Sequence, residues 1–403
     1  MKPVQSVQSV SRRTALLTMV GAVAQFAGCG GGDGNVAGLS SGGTGSFSGG
    51  TVNGLGSIIV NGIRYDDSAA TVTRYDGRSD SSANLRVGMV VFIQGSAVTP
   101  ATRVGGTPTA KAYRISYGEE WRGPVDATSS NGLSVLGQSV DVLSTTVFDG
   151  VVSILADVTT AHFVEVYGYV DPSSGRLQAT RVEVSATQPS TYRLSGSIRN
   201  LDTSARTFGL GSVVIHYDDA TTKPALLSNG QLVGVVLPAQ QPVNWTATRI
   251  EAQFQPVASL QVSDKDEAEI HGVVTSGSTT LFNVNGVQVD ASSAVISNGT
   301  VAVGVTVEVE GTVRNGVVVA SKVKVETEAE LDAQEFEFHG TFSALDTVAR
   351  TFVLKGYRFT YDNQTEFGGV NWATNPTPSY IEVKAVLNTD GSWRATQIEA
   401  DND

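Results

Sequence analysis

Five aspartates recur at near-constant spacing along this 403-residue chain. They are Asp66, Asp141, Asp218, Asp290 and Asp362, separated by 75, 77, 72 and 72 residues. Three of them stand in Tyr65-Asp66-Asp67, Tyr217-Asp218-Asp219 and Tyr361-Asp362-Asn363. Paired oxygens of this kind suit a hard cation or a sugar hydroxyl. Neither the spacing of an EF-hand nor an Asp-rich nonapeptide accompanies them. Each Asp also ends an alternating, strand-like run, where its carboxylate can accept from its own main chain in an Asx-turn. A residue that returns once per unit at a strand end reads first as architecture and second as a ligand position.

The four histidines are His162, His216, His271 and His339, and two of them hold equivalent places: His271 directly precedes Gly272 and His339 directly precedes Gly340. At the matching positions stand Ser48, Arg122 and Ser195. Equivalent histidines in adjacent units share a metal only if the units face each other. The plainer reading is an exposed strand position that tolerates polar residues. The single cysteine, Cys29, excludes an intrachain disulfide. Trp121, Trp245, Trp372 and Trp393 offer aromatic faces for sugars or bases, against the plainer reading of core packing. No G-x-S-x-G, H-E-x-x-H or Walker loop occurs. Paired carboxylates of the glycosidase kind are set by distance in space, which spacing in sequence does not reveal. Catalysis usually differentiates one domain from its neighbours, so repeated similar units favour a non-enzymatic protein, and no catalytic residue, metal or cofactor is assigned.

The elements that position these residues are strands. In Val305-Thr306-Val307-Glu308-Val309-Glu310 apolar and polar residues alternate, which places one face in a core and the other in water. Phe282-Asn283-Val284 and Val287-Gln288-Val289 flank Asn285-Gly286, the signature of a two-residue type I′ hairpin, and Asn315-Gly316 offers another. Two further landmarks keep constant order with the Asp. One is an early glycine: Gly49, Gly123, Gly196, Gly272 and Gly340. The other is a closing Ala-x-x-aliphatic run: Ala112 to Ile115, Ala179 to Val182, Ala247 to Ile250, Ala320 to Val323 and Ala395 to Ile398. Three landmarks in fixed order define five copies of one β-unit. The copies span 47–117, 121–185, 192–254, 268–327 and 336–400. A unit of about 60–70 residues is near the lower limit for an independent core. The copies therefore read as a string of small all-β domains whose neighbours support one another. Pro238 lacks the N–H for a ladder and marks an edge or a bulge in the third copy. The acid-rich stretch from Glu326 to Glu335 reads as a solvated connector with room for one helical turn.

Residues 1–29 have the form of an export signal: Lys2, Arg12 and Arg13, then a short apolar run too brief to span a bilayer. Phe26-Ala27-Gly28-Cys29 fits a bacterial lipobox with Cys29 diacylated, palmitate included; Ala22-Val23-Ala24 fits ordinary cleavage. Arg12-Arg13 fits either a twin-arginine or a general secretory signal. Residues 30–46 are a Gly/Ser-rich tether. Removing the three cations of the export segment takes the formal charge from −12 to about −15. Such a surface repels phosphate backbones, so no nucleic-acid partner is expected.

Phe282-Asn283-Val284-Asn285-Gly286-Val287, Val303-Gly304-x-x-Val307-Glu308-Val309-x-Gly311 and Ala320-x-Lys322-Val323 resemble the bacterial family known as domain of unknown function 5666, found in tandem in exported lipoproteins. The resemblance covers roughly 47–400 and is best in copies one, two and four. It implies barrels of five or six strands similar to an OB-type fold, and no established activity. Gly30 after the cysteine resembles the Gram-negative sorting signal for the outer membrane. The expected protein is a lipid-anchored, non-enzymatic envelope module that binds proteins or serves a structural role. Glycan or metal-ion binding at the Asp positions, His271 or His339 is the alternative, and hydrolysis of an envelope polymer is the third reading.

Overall fold

A computed structural model describes residues 45–102, 106–219, 221–239, 245–331, 334–370, 372 and 380–401. Arg12, Arg13, Cys29 and the tether up to residue 44 lie outside the described residues. The described chain is built almost wholly of strands, with single helical turns at Pro256–Ser259 and Glu328–Leu331. The second of these falls within the acid-rich connector.

The fourth unit displays the plan. Its strands are Glu267–Gly277, Leu281–Val284, Val287–Asp290, Thr306–Arg314 and Val317–Val325. The first pairs antiparallel with the second and the fourth, and the second with the third. The fifth pairs antiparallel with the fourth and parallel with the third. The ring closes, so alternate side chains point inward: Ile270, Val284, Val289, Val307, Val309 and Val323 are all buried. This strand order is that of an OB-type barrel. Units one, two and five close the same way. In unit three the corresponding parallel closure consists of isolated bridges, His216 to Thr246 and Thr222 to Arg249. Pro238 there is the last residue of its strand, where its missing N–H costs no ladder bond.

The landmark glycines of barrels 2 and 4 follow from how the barrel closes; in barrel 1 the glycine in that place is Gly50, whose Cβ would fall 2.5 Å from Asn61 Oδ1, whereas Gly49, expected there, faces Phe92. The turn between the second and third strands folds back over the opening strand, and only a residue without Cβ fits beneath it. A Cβ on Gly123 would fall 2.6 Å from Leu136 Cγ, and one on Gly272 would collide with Asn285 Nδ2. Leu136 and Asn285 are themselves turn residues with φ of 52° and 48°, followed by Gly137 and Gly286 at 75° and 88°. Two successive positive φ values make each a type I′ hairpin.

The five barrels do not form a string. Barrel 1 touches all four others, and its opening strand, Ser46–Leu55, is the junction. Ser46 to Thr51 pair with Val90–Gly95 on one edge. On the other edge Ser46 to Gly49 pair in parallel with Glu267 to Ile270 of barrel 4. Further on the edges exchange roles. Gly54 pairs with Ile59 of its own barrel and with Glu337 of barrel 5, and Leu55 with Phe338. Barrel 2 joins through Arg181, 1% exposed, which donates to Val87 O at 3.0 Å, and through Thr180 Oγ1, which donates to Gly88 O at 2.6 Å. Barrel 3 joins through Phe254, whose ring stacks on Tyr75 at 4.8 Å. The cores merge accordingly. Phe47 and Phe92 of barrel 1 belong to the apolar cluster of barrel 4, and Tyr167 of barrel 2 belongs to that of barrel 1.

A carboxyl group is buried in the seam between barrels 1 and 4. Glu269 is 3% exposed, and its Oε2 has no hydrogen-bond partner among the described residues. Burial, then the charges of Glu308 and Glu310, push it up to about 8. The folded protein thus holds a proton that the unfolded chain releases near 4.5. The associated stability is present in full below that value and is lost as pH rises through about 8.

Two predictions follow from the closure and the seam. Gly272→Val should lower stability by about 1–3 kcal/mol through overpacking at the hairpin tip. Denaturant unfolding would reveal this, and an unchanged midpoint would refute the close-approach argument. Wild-type stability should fall on the order of 2–4 kcal/mol between pH 5 and pH 9 through Glu269. Glu269→Gln should flatten that slope and exceed wild type at pH 9. An identical slope in the variant would assign the pH dependence elsewhere.

Candidate functional site

Two charged assemblies lie between barrels. The first joins barrel 5 to barrel 1. Glu337 and His339 project from the opening strand Phe336–Thr341, two residues apart and so on one face. Glu382 lies opposite His339 on the strand Tyr380–Leu387, and Asp401 follows the closing strand Trp393–Ala400. His339 is 2% exposed. Its Nδ1 lies 2.7 Å from Asp401 Oδ2 and its Nε2 lies 2.6 Å from Glu337 Oε1. Glu382 completes a group with Glu337 and His339 whose ligand atoms all lie within 4.8 Å of one another. Barrel 1 supplies Thr107 Oγ1, which donates to Glu337 at 2.8 Å, and Arg64, which pairs with Asp401 at 3.4 Å. Burial works against the charge on Glu337, but hydrogen bonds and the adjacent imidazole hold its carboxyl below the usual range.

Barrel 4 carries the matching constellation. Glu269, His271 and Glu308 hold the register of Glu337, His339 and Glu382, and Glu326 corresponds to Asp401. His271 Nε2 lies 2.6 Å from Glu326 Oε2, while its Nδ1 faces Tyr169 OH of barrel 2 at 3.4 Å. Burial opposes the charge on Glu326, and the hydrogen bond from His271 then keeps it below its usual range. The two histidines therefore do not share a site. Nor is His339 at an exposed strand position: barrel 1 covers it, and its two carboxylate neighbours make burial tolerable.

The second assembly is a cleft of about 620 Å³ between barrels 1 and 2. Its lining includes the cations Arg74, Arg86, Arg122 and Arg181 and the anions Asp80, Asp149, Glu165 and Glu183. Arg74 lies over the Tyr117 ring at 5.1 Å and pairs with Glu119. Arg122 pairs with Glu119 at 2.9 Å, and Arg181 with Asp149 at 2.6 Å and Glu183 at 2.8 Å. Arg86 turns to main-chain oxygens instead, those of Ala83 at 2.6 Å and Leu85 at 2.9 Å. Burial, then the charge of Glu119, pushes Glu165 above its usual range. Glu165 sits opposite Glu183 across the strand pair.

The recurrent aspartates are not brought together. Asp66 Oδ1 accepts from Ser68 N at 3.1 Å, Asp218 Oδ1 from Thr221 N at 3.1 Å, Asp290 Oδ1 from Ser292 N at 2.9 Å and Asp362 Oδ1 from Gln364 N at 2.7 Å. These are local strand-end bonds. Asp141 differs because its strand, Gln138–Gly150, runs on past it, and its carboxylate pairs with Arg176. Trp121 is buried with Nε1 donating to Ser195 O of barrel 3 at 2.9 Å, and Trp372 and Trp393 are buried in barrel 5. Glu337, Glu382, Asp401 and the cleft residues carry no sequence signal of their own. Glu337 and Glu382 stand at strand positions indistinguishable from solvated ones. Only the carboxylates at the places matching Glu269, Glu308 and Glu326 would have pointed to them.

The sequence model of the family described as "Domain of unknown function (DUF5666)" matches residues 122–183, 271–324 and 339–399. None of the curated proteins matches the chain. The matches fall on barrels 2, 4 and 5. Copy one, expected among the best likenesses, is thus not matched, whereas copy five is, although Val383-Lys384-Ala385 stands there in place of Val309-x-Gly311. The two unmatched barrels have the longest runs before their last strand, Gly95 to Thr109 in barrel 1 and Pro238 to Arg249 in barrel 3. Three of the five barrels are thus similar to a domain family whose function is not established.

Proposed function

We propose that this chain is a non-enzymatic module of the bacterial cell envelope, anchored by lipid at Cys29, that binds a polypeptide partner in the cleft between barrels 1 and 2. The observation that carries this reading is the cleft lining: four arginines interleaved with four carboxylates, drawn from two barrels held in fixed relation. A uniformly anionic polymer meets as many repulsive as attractive groups there. A polypeptide segment of mixed charge can match both signs, and such complementarity selects a partner more than it adds raw affinity. The volume leaves room for a few side chains. Arg74, Arg122 and Arg181 are already oriented by ion pairs and Arg86 by main-chain oxygens, so a partner meets a preorganised surface. Repeated barrels with merged cores suit a rigid scaffold carrying that surface.

Hydrolysis is the second reading, favoured by one feature: Glu165, pushed toward its protonated form, opposes Glu183 in the same cleft. A pair of facing carboxyls is the arrangement glycosidases use.

Photo-crosslinking amino acids at Asn84 and Thr187, exposed on opposite walls of the cleft, would test the binding reading in cells. Crosslinks to one defined envelope polypeptide are expected from both positions and not from Val348, which is 94% exposed on barrel 5. Crosslinks equal at all three positions would overturn the assignment. Release of oligosaccharide from envelope polymers, lost in Glu165→Gln, would establish the second reading. Metabolic labelling with an alkynyl palmitate should mark the wild-type chain in the outer-membrane fraction and leave Cys29→Ala unlabelled. Equal labelling of the two would refute the anchor.

A further inference from the structure

The imidazole of His339 is placed in a way that asks for a cation. One ring nitrogen faces Asp401 and the other faces Glu337, at 2.7 and 2.6 Å. An imidazole with a single N–H can donate to one of these carboxylates only. With that N–H given to Asp401, the lone pair of Nε2 points at Glu337, and two acceptors at this distance repel unless a positive centre lies between them. Glu382, 4% exposed, brings a further carboxylate oxygen within 4.8 Å of the ligand atoms of Glu337 and His339.

The surroundings fit a metal in that place. A metal-bound histidine usually donates its other N–H to a carboxylate, which fixes the tautomer and raises the basicity of the ligating nitrogen. Asp401 occupies that position behind His339 and is itself held by Arg64 from barrel 1. One nitrogen and two carboxylate oxygens within 4.8 Å suit an ion with donor distances of about 2.0–2.2 Å after small side-chain rotations. The mixed donor set selects a borderline divalent transition ion over calcium or magnesium, which take oxygen donors throughout. Arg64 reaches Asp401 at 3.4 Å, and Lys384 Nζ lies 4.0 Å from Glu382.

We propose that Glu337, His339 and Glu382 bind a divalent transition-metal ion such as Zn²⁺, with Asp401 as the positioning residue, and that this ion pins barrel 5 to barrel 1. Glu337 lies on the strand that pairs with Gly54, and Thr107 holds its carboxylate, so an ion here ties the two barrels directly. With Cys29 as the single cysteine, the chain has no disulfide to serve that purpose.

The test uses the full chain, purified in detergent, stripped with a chelator and titrated with Zn²⁺, Mn²⁺ and Ca²⁺. One Zn²⁺ per chain is expected by mass spectrometric metal analysis, with a thermal midpoint raised by several degrees and little response to Ca²⁺. Glu382→Gln and His339→Gln should remove stoichiometric binding, and Asp401→Asn should weaken it about 10- to 100-fold. Zn K-edge absorption on the wild-type chain needs no variant and should report one imidazole among oxygen donors. An oxygen-only environment would overturn the proposal. So would wild-type affinity in His339→Gln or Glu382→Gln. A chain that takes up no metal and whose stability ignores all three ions would leave a proton as the cation between Asp401 and Glu337, and would equally overturn it.

Discussion

The ten residues from Ser46 to Leu55 make one strand serve three barrels. An OB-type barrel uses the first half of its opening strand against its fourth strand and the second half against its second strand. Each half therefore leaves one edge unpaired. In barrel 1 the first free edge is taken by the opening strand of barrel 4, and the second by that of barrel 5. Main-chain hydrogen bonds thus run between barrels as they do within them. This answers the hazard of open edges, which otherwise invite pairing with other chains. The merged apolar clusters and the buried carboxyl groups follow from that contact, because side chains flanking a parallel strand pair lose their access to water.

The charged seams then have a common origin. A residue at the His271 or His339 position faces outward from its own barrel. In a free barrel it would be solvated. Here the neighbouring barrel covers that face, and each histidine has a carboxylate partner: Glu326 for His271, and Asp401 and Glu337 for His339. The cleft between barrels 1 and 2 is the complementary case, where two outer faces approach without closing and, Arg181 apart, their charged groups remain partly open to solvent. The assembly is thus made of outward surfaces put to two uses.

The sequence carried the barrel far better than the assembly. Period-two alternation, Asn-Gly turns and three ordered landmarks are local, and each reflects a constraint inside one unit. Gly272 beneath Asn285 is such a constraint, and it recurs as Gly123 beneath Leu136. Contacts between barrels leave no such trace, because Ser46 meets Glu267 and Gly54 meets Glu337 across more than two hundred residues without any repeated pattern. Hence the expectation of a string of domains, and of an exposed His339, where the fold has a hub and a buried one. The equivalence of His271 and His339 was legible. Their carboxylate partners were not, since alternating Val and Glu reads as a solvated face whether or not another barrel lies on it.

The pairing of Ser46 with Glu267 also orders events in time. Synthesis proceeds from the N-terminus, so barrel 1 emerges first and waits for the chain that completes it. Until barrels 4 and 5 follow, both free edges of its opening strand stand open, together with Phe47 and Phe92. Long-range pairing of this kind slows folding and prolongs exposure of sticky surface. A chain threaded unfolded through a membrane would meet that interval on the far side. A chain exported after folding would pass it in the cytoplasm, where chaperones can shield the strand until its last neighbour arrives.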